Sequence, residues 1–259
     1  MHANGFPPQA YQELFNEISN DFQLSAPLLR SFWDNIPDTK IENWELLVED
    51  FLKYISLQNK YENNIGIGHS IGGTILLYSI IKNPNLFSKV IILDPVLFSP
   101  YKCNIWSIIK KMGLGLYFHP LAKNALYRKQ KFKSKNSIFN RYREKKIFSK
   151  LTDKSLKIYI NSIFKKENDY YNLNFSSKIE SDIYLSGLTL EHYIFKNIHK
   201  IQSKVYVMYA DLNSTIDKKF KNILSQNKFI KLEKMVGLSH LFPMENSKKV
   251  YLNIKNFLI

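Results

Sequence analysis

The sequence predicts an α/β fold: a mostly parallel sheet with helices on both faces and an inserted helical region. Three observations predict it. Short, continuously apolar runs such as Lys89-Val90-Ile91-Ile92-Leu93-Asp94 and Val205-Tyr206-Val207-Met208-Tyr209-Ala210 read as strands buried on both faces, which parallel sheets require. Helical segments separate these runs, giving the alternation of a βαβ chain. Between Pro100 and Ile198 the pattern changes to helical apolar spacing with dense lysine, which sets that stretch apart as an insertion.

Taken in order, residues 9–19 read as a helix, with Tyr11, Leu14, Phe15 and Ile18 three and four residues apart. Residues 22–26 alternate like a short strand. Residues 41–57 form a second helix, with Trp44, Leu47, Val48, Phe51, Leu52 and Ile55 on one face. The β-prone run Asn64-Ile65-Gly66-Ile67 follows, then an apolar helix from Ile71 to Ile81. After the strand ending at Asp94, the core resumes with the run from Val205, a further strand over 228–232, and an amphipathic C-terminal helix over 247–258. This divides the chain into a first core part, 1–99, an inserted helical lid, 100–198, and a second core part, 199–259.

A chain of 259 residues that is 45% hydrophobic buries a substantial core as one domain. Its single cysteine, Cys103, excludes an internal disulfide and agrees with a reducing compartment. No basic-then-apolar leader opens the sequence, and no apolar run approaches the roughly 18 residues of a membrane span. A soluble cytoplasmic protein is therefore expected. The net charge is +15, and it is concentrated: residues 101–170 hold 18 Lys and Arg against 4 Asp and Glu, with no acid from Tyr101 to Arg143. Only four of the 37 basic residues are arginines, so a solvated surface of biased composition is the reading we prefer, and no nucleic-acid partner is expected. Recruitment to anionic lipid or to an acidic carrier is the second reading. The segment 104–112 is amphipathic, and packing on its own domain is preferred over lining an acyl pocket or touching a membrane surface.

Chemistry concentrates in Gly68-His69-Ser70-Ile71-Gly72, a serine between glycines after a strand and before a helix. A serine hydroxyl becomes an effective nucleophile when a sharp turn holds it within reach of a histidine and of backbone N–H donors. Far downstream, Gly237-Leu238-Ser239-His240 precedes the C-terminal helix and offers that histidine. With Asn4-Gly5-Phe6-Pro7 near the start, these segments make the chain resemble the α/β-hydrolase superfamily, in particular its bacterial members with a helical lid. The resemblance covers nearly the whole chain and is weakest from about residue 101 to 200.

The resemblance implies a serine hydrolase that cleaves an ester or thioester of a small to medium apolar acyl group, with Ser70 as nucleophile and His240 as general base. It also implies oxyanion donors at the N–H groups of Ile71 and Phe6. His69 is expected to shape the elbow without taking protons. For the acid, the usual family position in Ala210-Asp211-Leu212-Asn213 holds Asn213, which cannot stabilise an imidazolium as a carboxylate does. Some members carry the acid at the end of the strand after the elbow helix, where Asp94 stands. Asp94 is preferred, and Asp211 remains the alternative. The family normally has strands before the Asn4-Gly5 turn, so N-terminal strands are expected to be missing, either because the start is truncated or because the fold lacks them. This loss and Asn213 support a second reading, a vestigial or ligand-binding relative without efficient turnover. No P-loop, dinucleotide fingerprint or metal-ligand spacing is present in the sequence, and no cofactor or metal is expected.

Overall fold

The structure is a computed structural model that describes residues 1–37, 40–58 and 63–259. A 3₁₀ turn (Pro8–Tyr11) leads into α1 (Gln12–Ile18), and α2 (Glu45–Ser56) precedes the first strand, β1 (Ile65–His69). Helix α3 (Ile71–Lys82) and strand β2 (Lys89–Leu93) follow. The insertion then contributes α4 (Pro100–Lys111), α5 (Gly115–Phe118), α6 (Pro120–Leu126), β3 (Lys131–Phe132), α7 (Lys135–Arg143) and α8 (Asp153–Ile163). It continues through β4 (Phe164–Glu167), β5 (Tyr170–Leu173), α9 (Ser177–Leu185) and α10 (Glu191–Asn197). The core returns with β6 (Lys204–Leu212), α11 (Lys218–Gln226), β7 (Ile230–Ser239), the short α12 (Phe242–Glu245) and α13 (Ser247–Leu258).

Strands β1, β2, β6 and β7 lie side by side in that order, and all three pairings are parallel. Successive strand residues point to opposite faces. Val90, Ile92, Val205 and Val207 therefore enter one core with Ile75, Leu76 and Ile80 of α3 and with Phe220 and Leu224 of α11. Ile91, Leu93, Tyr206 and Met208 enter another, with Leu14 and Ile18 of α1 and Val250 and Ile254 of α13. Helices thus cover both faces, as the continuous apolar runs predict. Helix α3 is buried at every residue from Ile71 to Ile81, because the sheet, α2 and α10 surround it.

Three expectations need correction. Residues 22–26 form no strand: the outer edge of β1 is already taken by Met1, whose amine donates to Ile67 O at 2.7 Å and whose carbonyl accepts from His69 N at 3.1 Å. The last core strand does not stop at residue 232 but runs to Ser239, so that His240 follows it directly. The insertion is not purely helical, since β3, β5 and β4 form a three-stranded antiparallel sheet. Its hairpin turns through two residues, Asn168-Asp169, with Asn168 at φ 53°, a left-handed conformation that asparagine tolerates. That turn signal lies among lysines and escapes a search for apolar alternation.

The insertion has its own core. Tyr142, Phe148, Tyr159, Ile160, Ile163 and Phe164 pack together, and Ala3 and Phe6 of the N-terminal segment join them. Phe6 stacks on Tyr159 with ring centroids 4.7 Å apart. The insertion is therefore fastened onto the turn that carries Phe6.

Candidate active site

The carboxyl ends of four neighbouring strands converge, as expected of a functional crevice in a parallel α/β sheet. Ser70 follows β1, Asp94 follows β2, Ala210 lies near the end of β6, and His240 follows β7. Ser70 sits at φ 55° and ψ −125°, a backbone conformation that costs about 1–3 kcal/mol for a residue with a side chain. It is held there by its N–H bond to Leu93 O at 2.9 Å and by the start of α3, where Gly73 N and Thr74 N both donate to Ser70 O. The flanking glycines permit the tightness. A Cβ on Gly68 would lie 2.5 Å from Gly72 O, and one on Gly72 would lie 2.5 Å from Met1 O. The N–H groups of Ile71 and Gly72 precede the first intrahelical bond of α3, so the helix itself does not use them.

Asp94 has no solvent exposure, and its carboxylate is fully engaged. Oδ1 accepts from Ala210 N at 3.0 Å and Ser214 Oγ at 2.7 Å. Oδ2 accepts from Thr215 N at 3.1 Å and Thr215 Oγ1 at 3.3 Å, and meets His240 Nδ1 at 2.6 Å. Burial pushes the carboxyl group up, but the contact with His240 and the donors from Ser214 and Ala210 outweigh it and hold Asp94 below its ordinary value. Asp94 lies at φ 39°, and its N–H donates to Met208 O at 2.7 Å. The side chain is therefore aimed by the strand pairing itself.

Asp211 is turned elsewhere. Its carboxylate accepts from Gly237 N at 3.0 Å and pairs with Lys234 at 3.3 Å. Asn213 lies at φ 57° in the turn that leads to Ser214 and Thr215. The structure thus joins His240 to Asp94 and leaves Asp211 on the β7 side.

His240 is fixed by its loop. Glu245 accepts from Ser239 N at 3.0 Å and from the Ser239 hydroxyl, tying the loop to α12. The carbonyl of His240 accepts from His69 Nε2 at 2.9 Å. A carbonyl cannot donate, so His69 carries its proton on Nε2 and its Nδ1 accepts from Tyr11 OH at 2.7 Å. Burial, reinforced by neighbouring His240, lowers His69 to about 3, so it stays neutral and acts as a bracket. The rings of His69 and His240 lie 4.8 Å apart. No hydrogen bond joins the Ser70 hydroxyl to the His240 ring among the described residues.

Phe6 follows the turn at Asn4-Gly5, with Gly5 at φ 75°. Its N–H donates to Ala3 O at 3.1 Å. The inserted region holds this turn from outside. Tyr159 OH donates to Gly5 O at 3.2 Å, Asn4 Nδ2 donates to Glu180 O at 2.9 Å, and Arg128 pairs with Glu180 at 2.6 Å. A Cβ on Gly5 would meet Glu180 Oε1 at 2.3 Å.

Sequence reasoning missed Tyr11, Ser214, Thr215, Glu245 and the Arg128–Glu180 pair. A signal existed for two of them: a buried aspartate that stays ionised needs donors, and the hydroxyl pair Ser214-Thr215 stands directly after the window searched for an acid. Among the described residues no cluster of three His, Cys, Asp or Glu side chains is arranged to hold a metal ion.

No family model matches the chain, and no curated protein sequence matches it. Solved structures do. E-2-(acetamidomethylene)succinate hydrolase matches with a TM-score of 0.76 at 14% identity, over 99% of this chain and 89% of that one. A thioesterase domain from the curacin biosynthetic pathway matches with a TM-score of 0.76 at 14% identity, over 100% of this chain and 89% of that one. The peroxisomal α/β-hydrolase Lpx1 from Saccharomyces cerevisiae matches with a TM-score of 0.74 at 16% identity, over 100% of this chain and 74% of that one. At these identities the likeness concerns the fold: the chain has the α/β-hydrolase fold that its sequence resembles.

Proposed function

We propose that the chain is a serine hydrolase that cleaves an ester or thioester of a small to medium apolar acyl group through an acyl-enzyme. The observation that carries this reading is the 2.6 Å contact of His240 Nδ1 with the buried Asp94 carboxylate, made at the same sheet edge where Ser70 occupies a strained strand-to-helix turn. The neighbours named as a thioesterase domain and as hydrolases support the same class.

In this reading Asp94 holds the proton of His240 on Nδ1, which leaves Nε2 free as the base. Ser70 Oγ attacks the carbonyl carbon as its proton passes to Nε2. The carbon–oxygen or carbon–sulfur bond then breaks, and the imidazolium returns the proton to the leaving group. Water repeats the sequence on the acyl-enzyme and releases the acid. The Ile71 N–H, free of the helical ladder, is one oxyanion donor. The Phe6 N–H, which donates to Ala3 O at 3.1 Å, is the second. Fluorophosphonate labelling of wild type and Ser70→Ala tests the assignment. Labelling of wild type alone is expected, and equal labelling of both removes Ser70 from the chemistry.

The engagement of Phe6 N–H with Ala3 O favours a second reading, a ligand-binding protein that retains the pocket without efficient turnover. A p-nitrophenyl ester series separates the two. Sustained turnover lost in Ser70→Ala supports the hydrolase, whereas one acylation burst with no steady state supports the second reading.

A further inference from the structure

Helix α4 carries two apolar faces, only one of which the fold uses. Cys103 and Trp106 are buried against the protein. Tyr101, Ile105, Ile108 and Met112, spaced by four, three and four residues, form a separate stripe that faces solvent, with Met112 65% exposed. After the turn at Gly113, which lies at φ 72°, the segment continues with exposed Leu114, Tyr117, Phe118 and Leu121. Of 17 exposed large hydrophobic side chains among the described residues, nine fall within residues 101–127. Single exposed apolar residues are ordinary, but a cluster of this density marks an interaction surface.

We infer that α4, α5 and the start of α6 form a docking surface for an anionic lipid membrane. The argument for this occupant is charge. Lys111 and Lys123 are exposed within the same segment, Lys102 beside them pairs with Asp217 at 3.6 Å, and no acid occurs in the sequence from Tyr101 to Arg143. An apolar stripe bordered by lysines is what an interfacial helix presents: the apolar side chains enter the acyl boundary and the ammonium groups reach the anionic headgroups. A second copy of the chain is a poor occupant, because the excess of 14 positive charges over residues 101–170 repels its own image. A nucleic acid gains nothing from burying Ile105, Ile108, Met112 and Leu121, since phosphate neutralisation and base stacking use neither. The inference does not depend on the proposed hydrolysis.

Co-sedimentation with vesicles of phosphatidylcholine alone or with 30 mol% phosphatidylserine (about the anionic fraction that gives a strongly charged leaflet) tests it. Expected is binding to the anionic vesicles only, weakened by salt and reduced about tenfold or more by Ile108→Ser combined with Phe118→Ser. Both positions are exposed, and an unchanged melting temperature verifies that the variant folds. Absence of binding to anionic vesicles at low salt overturns the inference. So does binding that the apolar substitutions leave unchanged, which reduces the contact to charge alone. Concentration-dependent self-association in sedimentation velocity, abolished by the same substitutions, also overturns it by assigning the face to a second copy.

Discussion

His240 and Asp94, 146 residues apart in the chain, meet Nδ1 to Oδ2 at 2.6 Å at the carboxyl end of the sheet. The carboxylate is buried, ionised and saturated with donors, so it presents His240 with a fixed acceptor.

If this contact orients the base, Asp94→Asn lowers kcat by several orders of magnitude, on the scale of the ~10⁴-fold loss for a serine-protease triad aspartate. Asp211→Asn, whose native carboxylate serves Gly237 N and Lys234, leaves kcat within a few-fold. Steady-state hydrolysis of a p-nitrophenyl ester by both variants is the check. The reverse ranking returns the acid to Asp211 at the end of β6.

Tyr11→Phe removes a hydroxyl that accepts from Ala3 N at 3.1 Å and donates to His69 Nδ1 at 2.7 Å. Both partners lose a buried hydrogen bond, which costs about 1–3 kcal/mol in urea unfolding. The same hydroxyl links the proposed oxyanion turn to the bracket behind His240, so kcat is expected to fall about tenfold while KM changes little. A loss of stability with unchanged kcat shows that the bracket supports the fold alone.

Strands β2 and β6 were legible in the sequence because each is buried on both faces and cannot carry polar residues in its middle, as Val90 to Leu93 and Val205 to Met208 show. Ser70 and His240 were legible because the proposed chemistry needs a serine in a glycine-flanked turn and a histidine just past the last strand. The end of β7 was not: from Glu233 to Ser239 the strand mixes Lys234, Gly237 and exposed Val236, so its pairing with β6 follows from register and leaves no apolar signature. Nor was the support of the Asn4-Gly5 turn. Arg128, Tyr159 and Glu180 are brought to it by tertiary packing of the inserted region, and nothing local in the sequence marks them among its other charges.

That support predicts a stability effect. The Arg128–Glu180 pair is 2.6 Å apart, with the side chains 13% and 2% exposed, so removing one partner strands a buried charge. Arg128→Met is expected to destabilise the protein by about 3–5 kcal/mol, and the double variant Arg128→Met with Glu180→Leu to recover most of that loss. Urea midpoints of wild type, both single variants and the double variant give the coupling directly. Additive losses contradict a coupled pair.

Glu191 supplies a pH signature. It is fully buried, and burial, opposed more weakly by the backbone of Glu191 and Leu190 and by Lys110, pushes it up to about 8. The unfolded chain ionises such a group near 4.3. Between that value and about 8 the folded state holds a proton that the unfolded state has released, so this group's contribution to stability is fully present below about 4.3 and falls as pH rises. His2 and His69, each lowered to about 3 by burial, and the Met1 amine, lowered to about 5, act with the opposite sign. All three cancel when two proteins with the same groups are compared. The stability of Glu191→Gln minus that of wild type is therefore expected to rise with pH across 5 to 8, by up to about 1.4 kcal/mol per unit. Urea unfolding of both proteins at pH 5, 6.5 and 8 measures it. A difference independent of pH means that Glu191 is already ionised in the folded protein and finds a counter-charge, for which half-buried Lys110 is a candidate.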